Sequence, residues 1–455
     1  MYNRQDYLRK YNAVYVEGVE TDWMALPLRT AFKHKHSLNI EGGSKGILYS
    51  FDLYYTGDNG VMKGSSREVV GAGITLNFNF KKLNIRNAFS YSTTLGTESP
   101  YGSFSDYVHK MPYSKYKDAA GDLLPQLTLW KSGGSTINPM YEATLYNFDK
   151  DKYEEILNNL QLRWSINDYL LAQGSLGISK RWDEGNRFID PRSMYSTNQL
   201  TTTNLLAGDL YTDRGNSSNL NGKVALSYNR TIGKHNVNFS LNGELSESTS
   251  NNLSTHYIGF PSGKFSSVNY ASEVKGKPQK SDSKSRTLGA SGVLNYSIDD
   301  IYLSDFSCRY DGSSMFGTKQ KGAWYWSGGL GLNIHNYSWM ENLSAYYINR
   351  LKIRASYGQL GNVQFPAYAA QDYYNNIFED WYITGYGTHM AYMGNPHLKG
   401  EKTHMFDVGF DLAMFNGRLN LIGTYYNKVT VDLINDVTIP SSSGFTVYKL
   451  SLIHI

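Results

Sequence analysis

The sequence is poor in cysteine, in long apolar runs and in charge. Cys308 is the one cysteine among 455 residues, which excludes an intrachain disulfide framework and a multi-cysteine metal site. No segment approaches the roughly 18 uninterrupted apolar residues that a membrane-spanning helix needs. Charged residues make up 18% of the chain, the formal net charge is +4, and no Lys/Arg block occurs. A helical membrane protein and a nucleic-acid partner are therefore excluded.

Aromatic residues, glycine and a two-residue hydrophobic period are abundant instead. The chain holds 38 Tyr and 43 Gly, and aromatic residues make up 14% of it. Apolar residues alternate with polar ones, which marks strands whose two faces differ. The clearest runs cover Ile47–Thr56, Gly73–Phe80, Leu160–Ile166, Leu170–Ile178, Val237–Leu245 and Phe406–Met414. They predict about fifteen strands of about 8 to 14 residues, long enough to cross a bilayer at a tilt.

Short and long connections alternate along the chain. Tight turns are predicted at Lys81-Lys82, Asn167-Asp168, Ile232–Lys234, Asp299-Asp300 and Asn416-Gly417. Long polar segments are predicted near 96–157, 183–220, 248–284, 312–324 and 359–402, with a mid-length connection near 336–349. This asymmetry is typical of outer-membrane barrels, which have short periplasmic turns and long extracellular loops.

The predicted fold class is all-β, a transmembrane antiparallel β-barrel. The mean hydropathy of -0.46 agrees with it, because such strands are apolar on one side only and the loops are polar. A soluble propeller would give shorter strands and a repeat of about 40 to 50 residues, which the sequence lacks. In hydrocarbon a sheet must close on itself, so we expect about fifteen strands to be part of a larger barrel.

Several strings of the sequence are distinctive when taken together. They are Thr21–Trp23, His36–Ser44, Tyr55–Val61, Arg309–Gly317, Leu351–Gly358 with Gly361-Asn362, Asn395–Thr403 and Ile439–Phe445. In this order and spacing they resemble barrel signatures of the SusC/RagA family. The resemblance spans roughly residues 12 to 448.

The resemblance implies a TonB-dependent receptor of the bacterial outer membrane in Bacteroidota. Members of the family have a signal peptide, an N-terminal plug and a barrel of about 22 strands. A SusD-like surface lipoprotein caps the barrel as a lid, and TonB drives import of oligosaccharides or peptides. Residues 1–455 would then be a barrel-domain fragment without the plug, and TonB would act through the missing N-terminal region.

Both termini differ from this expectation. The first residues, Met1–Asp6, lack the apolar core of a signal peptide. We therefore expect Met1 to be an internal methionine. At the other end Lys449–Ile455 departs from the family pattern, and we expect an assembly or cloning artefact there.

No catalytic, cofactor or metal site is predicted. No phosphate loop or His-Glu-x-x-His motif occurs, and we expect no nucleophile elbow. His34 and His36 would share one face of a strand, but no third ligand is evident nearby. The acidic stretch Asp149–Glu155 lacks the glycine pattern of a calcium loop, so we interpret it as solvated loop charge.

The candidate substrate contacts are aromatic residues of the long loops. Their flat rings, beside Asn and Asp side chains, suit stacking on sugars or holding a peptide. They are Trp130, Tyr373, Tyr374, Trp381, Tyr382 and Tyr386. The plainer interpretation is that each packs within its loop or against the lid. Two other functions stay open for the chain, a passive porin and a surface adhesin without transport.

Overall fold

Strands dominate the computed structural model, which describes residues 4–128, 135–199, 205–340, 347–363 and 365–452. In chain order the strands are β1 Lys33–Gly43, β2 Ile47–Asn59, β3 Ser66–Phe80, β4 Leu83–Thr97, β5 Gln126–Thr128, β6 Ser135–Ile137, β7 Phe148–Ser165, β8 Leu170–Ile189, β9 Asp209–Ile232, β10 His235–Ile258, β11 Glu273–Val274, β12 Gln279–Ile298, β13 Tyr302–Ser313, β14 Gly322–Asn333, β15 Ile348–Asn362, β16 Tyr373–Tyr382, β17 Gly385–Tyr392, β18 Glu401–Met414, β19 Leu419–Val431, β20 Leu433–Thr438 and β21 Val447–Leu452.

Helical segments are few and short. The α-helices are α1 Arg4–Tyr11, α2 Phe104–Val108 and α3 Pro139–Glu142, and a π-helical turn covers Asn12–Val16. Single 3₁₀ turns lie at Val268–Tyr270, Ile334–Asn336, Ser338–Met340 and Ser441–Ser443. Within the described ranges, no helix is both long and apolar enough to cross a membrane.

One large antiparallel sheet contains fourteen strands in unbroken succession, in the order β1-β2-β3-β4-β7-β8-β9-β10-β12-β13-β14-β15-β18-β19, and the short β11 pairs with β10. Neighbours in the sheet are therefore neighbours in the chain, apart from short strands inside the loops. Among the described residues no ladder joins β1 to β19, so the sheet is not closed. The predicted antiparallel barrel topology, with about fifteen strands, is confirmed.

The register places apolar side chains on one face of this sheet. Ile40, Phe51, Ile74 and Phe89 are directly opposite one another on β1 to β4. They are between 37% and 49% exposed, which a soluble protein would avoid for a row of large apolar side chains. The same face continues through Leu226 and Leu241 on β9 and β10, and through Tyr357 and Phe406 on β15 and β18.

The opposite face of the sheet is polar. Asn39, Asp52, Gly73 and Ser90 are directly opposite one another on β1 to β4. The Asn39 side-chain amide donates a hydrogen bond of 2.5 Å to Asp52. Further along the sheet Arg309 forms ion pairs with Glu244 and Asp311 on this face. Apolar outside and polar inside is the pattern of a membrane barrel with an aqueous interior.

The two ends of the sheet differ in their connections. At one end, here called the turn end, the connections are tight except for the mid-length connection 334–347, and several turn residues have the positive φ that such turns favour. Asp299 and Asp300 have φ of 55° and 54°, and Asn416 has φ of 56°. At the other end, the loop end, the long connections cover 98–147, 190–208, 259–278, 314–321 and 363–400. The predicted alternation is confirmed.

The predicted strand lengths were too short. Both β9 and β10 have 24 residues and pair along their whole length, and β8 and β12 have 20 each. A bilayer needs only about 9 to 11 residues of a tilted strand. On β10 the continuous run of apolar positions ends at Leu245, and polar residues occupy positions 247, 249 and 251 of the same face before Leu253. Beyond Glu247 both faces of the strand meet water. Backbone pairing continues there, but the apolar/polar alternation that predicts a strand from the sequence is lost.

Because β7 is also longer than predicted, the acidic stretch Asp149–Glu155 lies in a strand. Asp149, Asp151, Glu154 and Glu155 lie in the ladder between β7 and its neighbours, and not in a loop as predicted. The backbone hydrogen bonds of the ladder hold these residues in place. The Lys152 ammonium also lies 2.8 Å from the Glu154 carboxylate.

We predict that Leu241→Arg, in the middle of the apolar face of β10, destabilises the intact receptor by about 2 to 4 kcal/mol, the cost of a lipid-facing arginine at midplane depth. The matched control is Asn242→Arg, one residue further on the polar face. Urea titration in lipid vesicles, followed by heat-modifiable migration, measures both. Equal losses in the two variants would contradict the assigned faces.

Candidate functional site

The loop end is held together by three buried carboxylates, Glu142, Asp190 and Asp209, each at most 3% exposed. Asp190 follows β8 directly and accepts hydrogen bonds from the Arg192 guanidinium at 2.8 and 3.0 Å and from the Tyr146 amide at 3.2 Å. Burial raises the pKa of Asp190, but these hydrogen bonds outweigh burial and hold that pKa below its ordinary value. The carboxylate therefore fixes two loops together in its ionised form.

The other two carboxylates hold connection 190–208 from either side. Glu142 accepts hydrogen bonds from the Ser193 hydroxyl at 2.5 Å and from the Met194 amide at 2.8 Å. Asp209 bonds to the Ser196 hydroxyl at 3.0 Å and to His256 Nε2 at 2.7 Å. Buried charges with this many donors are satisfied and hold a single arrangement. The described parts of connections 98–147 and 190–208 are thus joined by buried hydrogen bonds.

A cavity of about 570 Å³ lies between these two connections and the outer ends of β7 and β8. Its volume is within the range of small-molecule sites, about 300 to 1,000 Å³. It is lined by Glu98, Ser99, Pro100, Tyr101, Gly102, Ser103, Asp106, Pro139, Glu142, Asn147, Phe148, Asp149, Arg187, Phe188, Ile189, Ser193 and Tyr195. Carboxylates and aromatic rings thus share one concave surface.

The predicted contact aromatics are elsewhere. Tyr373, Tyr374, Tyr382 and Tyr386 lie on the β16–β17 hairpin of connection 363–400 and are 53%, 59%, 68% and 60% exposed. Trp381 is in the same hairpin, opposite Tyr386, but its side chain lies outside the described residues.

Trp130 lies outside the described residues altogether. On the hairpin, Tyr373 stacks on Tyr392 with a ring separation of 5.3 Å, and Phe378 packs edge-on against Tyr386. The Lys277 ammonium lies 3.0 Å from the centre of the Phe378 ring and so connects the hairpin to connection 259–278. The hairpin is an exposed projection and not part of the cavity wall.

The cavity residues were missed by sequence reasoning. Glu98 and Asp106 belong to one connection, Asp149 is the second residue of β7, and Arg187 lies near the end of β8. No spacing in the sequence unites them, since the β7–β8 ladder is what places Asp149 opposite Arg187. Tyr107, next to Asp106 in the sequence, is fully buried, but this burial is a property of the fold and gives no signal in the sequence.

The strings that resemble SusC/RagA signatures meet at the loop end. The Gly317 amide donates to the Leu398 carbonyl at 2.8 Å, and the Lys319 amide donates to the Pro396 carbonyl at 3.0 Å. Phe316 and Leu398 share a buried cluster. The string Arg309–Gly317 is therefore docked on Asn395–Thr403. These contacts support the interpretation that the strings serve folding geometry.

The strand that follows a third string, Ile439–Phe445, also contacts this region. The Asn395 side chain donates to the Lys449 carbonyl at 2.9 Å, on β21. Gly444, at the end of the turn Ser441–Ser443, has φ of 83°, which explains the glycine in Ile439–Phe445.

Two weaker motifs have structural explanations. His34 and His36 lie side by side on β1 with ring centres 5.3 Å apart, and no cluster of three metal-binding side chains occurs among the residues that the structure describes. The string Gly42–Gly46 has the Gly-x-Ser-x-Gly spacing of a nucleophile elbow. It forms the tight turn between strands β1 and β2. A nucleophilic serine of this motif would need a turn from a strand into a helix.

Comparison with known proteins identifies the barrel. The family model for the β-barrel of TonB-dependent receptor-like proteins matches residues 91–450. The chain belongs to this family. TonB-dependent receptor SusC of Bacteroides thetaiotaomicron is 26% identical over 93% of this chain, and TonB-dependent receptor P3 of Formosa agariphila is 24% identical over 96%.

A solved structure of the RagAB peptide importer in its open-open state superposes with a TM-score of 0.79 over 95% of this chain, at 20% identity. The predicted resemblance to SusC/RagA receptors is confirmed. The chain spans less than half the length of these relatives, between 44% and 47%. This TonB-dependent receptor barrel lies in the outer membrane, as predicted. Its loop end faces the exterior and its turn end the periplasm.

We predict that Gly317→Ala disrupts the docking of the two strings in this receptor, because an added Cβ would lie 2.1 Å from the Pro396 carbonyl oxygen. Overpacking of this kind costs about 1 to 3 kcal/mol. Gly312→Ala in the same string is the control, since its Cβ would lie 3.4 Å from the nearest atom. Limited proteolysis of the intact receptor should show faster cleavage within 394–400 for the first variant only. Unchanged cleavage in both would refute the contact.

Proposed function

We propose that this chain is part of the barrel of an active importer that takes up oligosaccharides or peptides across the outer membrane. The observation that carries the proposal is the fourteen-strand sheet with one apolar face, matched by the TonB-dependent barrel family over residues 91–450. Sheet closure would require further strands, because open edges in hydrocarbon leave backbone groups unpaired. Those strands and a plug would belong to the rest of the receptor, and residues 1–455 to its barrel domain.

Two partners follow from this proposal. A SusD-like surface lipoprotein would cover the loop end, and TonB would act on the receptor from the periplasm. The exposed rings of Tyr374, Tyr382 and Tyr386 support a lid contact, since exposed aromatics are enriched where one protein docks on another. The described loop segments that Glu142, Asp190 and Asp209 join would support this contact. We propose no enzymatic activity and no cofactor.

The test is growth and uptake with the complete receptor in its own cells. Deletion of the receptor gene should abolish growth on one class of oligosaccharide or peptide and leave growth on the corresponding monomer unchanged. Uptake of a fluorescent oligomer by the wild type should stop when TonB is deleted or when a protonophore is added. A tagged receptor should co-purify with a surface lipoprotein.

Other results would favour the alternatives. Uptake that persists without TonB and with the protonophore would indicate a passive porin. Surface binding of the oligomer with no difference in growth between the deletion strain and the wild type would indicate an adhesin. Either result would overturn active import.

A further inference from the structure

The last arginine of β9 lies on the lipid-facing side of the sheet. Arg230 is directly opposite Val237 on β10, and Val237 is in turn opposite Tyr296 on β12. These positions share a face with Leu226 and Leu241 of the apolar band. Arg230 is the third residue from the end of β9, next to the periplasmic turn. Its long side chain therefore reaches the boundary between the hydrocarbon and the periplasmic headgroups.

Polar aromatic side chains surround this arginine. Its guanidinium lies over the Tyr169 ring, 4.7 Å from the centre, and is hydrogen-bonded to the Tyr228 hydroxyl. His235, on the same face of β10, stacks on Tyr296 with ring centres 6.0 Å apart. Rings with polar tips are enriched at the headgroup level of a bilayer. The cluster therefore lies at the level where lipid phosphates lie.

Arg230 has no carboxylate partner in the described part of the chain. The groups that act on its guanidinium are the side chains of Tyr228 and Tyr169. Lys234, in the turn that follows, has its own partner in Asp299. The charge of Arg230 is thus not compensated by the protein segments that the structure describes.

Several cations on the same face at the loop end are arranged differently. Lys284 and Arg286 share the Glu247 carboxylate at 2.8 and 2.5 Å. Arg214, on β9, lies 3.9 Å from Glu184. Carboxylates of the chain compensate these cations. The periplasmic guanidinium lacks such a partner, which favours an anion supplied by the membrane.

A phosphate group fits the donors of this cluster. A guanidinium binds phosphate oxygens through two parallel N–H donors. His235 Nδ1 lies 2.7 Å from the Tyr296 hydroxyl, and its Nε2 has no partner among the described residues. The Tyr228 hydroxyl can donate as well. Phe239, opposite Tyr228 in the ladder, lies on the same face and meets the acyl chains.

We propose that Arg230, with Tyr228 and His235, binds the phosphate group of a phospholipid in the periplasmic leaflet. The occupant is a lipid and not a soluble phosphate, because Leu226 and Phe239 beside the donors meet hydrocarbon. An arginine at this depth costs little, since the penalty of a lipid-facing cation falls to about 0 to 1 kcal/mol near the interfaces. The inference goes beyond the proposed import function and does not depend on it.

The test is native mass spectrometry of the complete receptor, delipidated in a neutral detergent and titrated with three probes. Dioleoylphosphatidylglycerol carries the phosphate and the acyl chains. Dioleoylglycerol lacks the phosphate, and glycerol 1-phosphate lacks the acyl chains. The first probe should bind at least about tenfold more tightly than either of the others, because a charge-assisted hydrogen bond is lost without the phosphate.

Three variants locate the binding. Arg230→Gln should weaken phosphatidylglycerol binding by about tenfold and leave dioleoylglycerol binding unchanged. Arg230→Lys should retain part of the affinity, because it keeps the charge and loses the two-donor fork. Arg214→Gln, on the same strand and face but at the loop end, should bind like the wild type. Heat-modifiable migration confirms that each variant is folded.

Equal binding of phosphatidylglycerol and dioleoylglycerol by the wild type would overturn the inference. Undiminished phosphatidylglycerol binding by Arg230→Gln, or an equal loss in Arg214→Gln, would overturn it as well. Glycerol 1-phosphate that binds as tightly as phosphatidylglycerol would replace the lipid by a soluble anion and so contradict the proposed occupant.

Discussion

The antiparallel register of the large sheet is the constraint on which the rest of the structure depends. In hydrocarbon an unpaired backbone group costs several kcal/mol, so strand pairing must continue without interruption. Because side chains alternate with a period of two, one shared register sends Ile40, Phe51, Ile74 and Phe89 to the same face and Asn39, Asp52, Gly73 and Ser90 to the other. A slip by one residue would exchange the two faces.

The same ladders also build the external half of the molecule. Strands β7 to β10 and β12 continue past the apolar face, and their outer ends carry the loops. Asp190 and Asp209 sit at those strand ends and hold connection 190–208, while Glu142 holds it from connection 98–147. The loop-end cavity is thus a consequence of strand length and of buried charge.

The sequence predicted those features that produce a local residue pattern, namely the membrane strands and the tight turns. Alternation predicts the strands inside the membrane, where one face meets lipid and the other water. Asp299-Asp300 and Asn416-Gly417 predict turns, since these residues adopt positive φ at little cost. The strings Arg309–Gly317 and Asn395–Thr403 identified the family, although their mutual contact through Gly317 and Leu398 was invisible before the fold was known.

The candidate site could not be predicted in the same way. Above the membrane both faces of a strand are wet, so the outer halves of β9 and β10 have no distinguishing period. Glu98, Asp106 and Asp149 converge through tertiary structure alone. The aromatics of the long loops that the sequence suggests as substrate contacts, such as Tyr373 and Tyr386, lie on an exposed hairpin outside this cavity, and their contact with substrate stays a prediction.

The central claim is that one face of the sheet meets lipid and that this contact ends near Glu247 on β10. The direct measurement is site-by-site fluorescence quenching in the complete receptor with Cys308→Ser, using single cysteines from 237 to 254 labelled with a bimane. A lipid-phase nitroxide should quench labels at 237, 239, 241 and 245 but not at 238, 240 and 242, and this alternation should vanish beyond 247. Quenching that does not alternate, or that favours the even positions, would contradict the register and the barrel built on it.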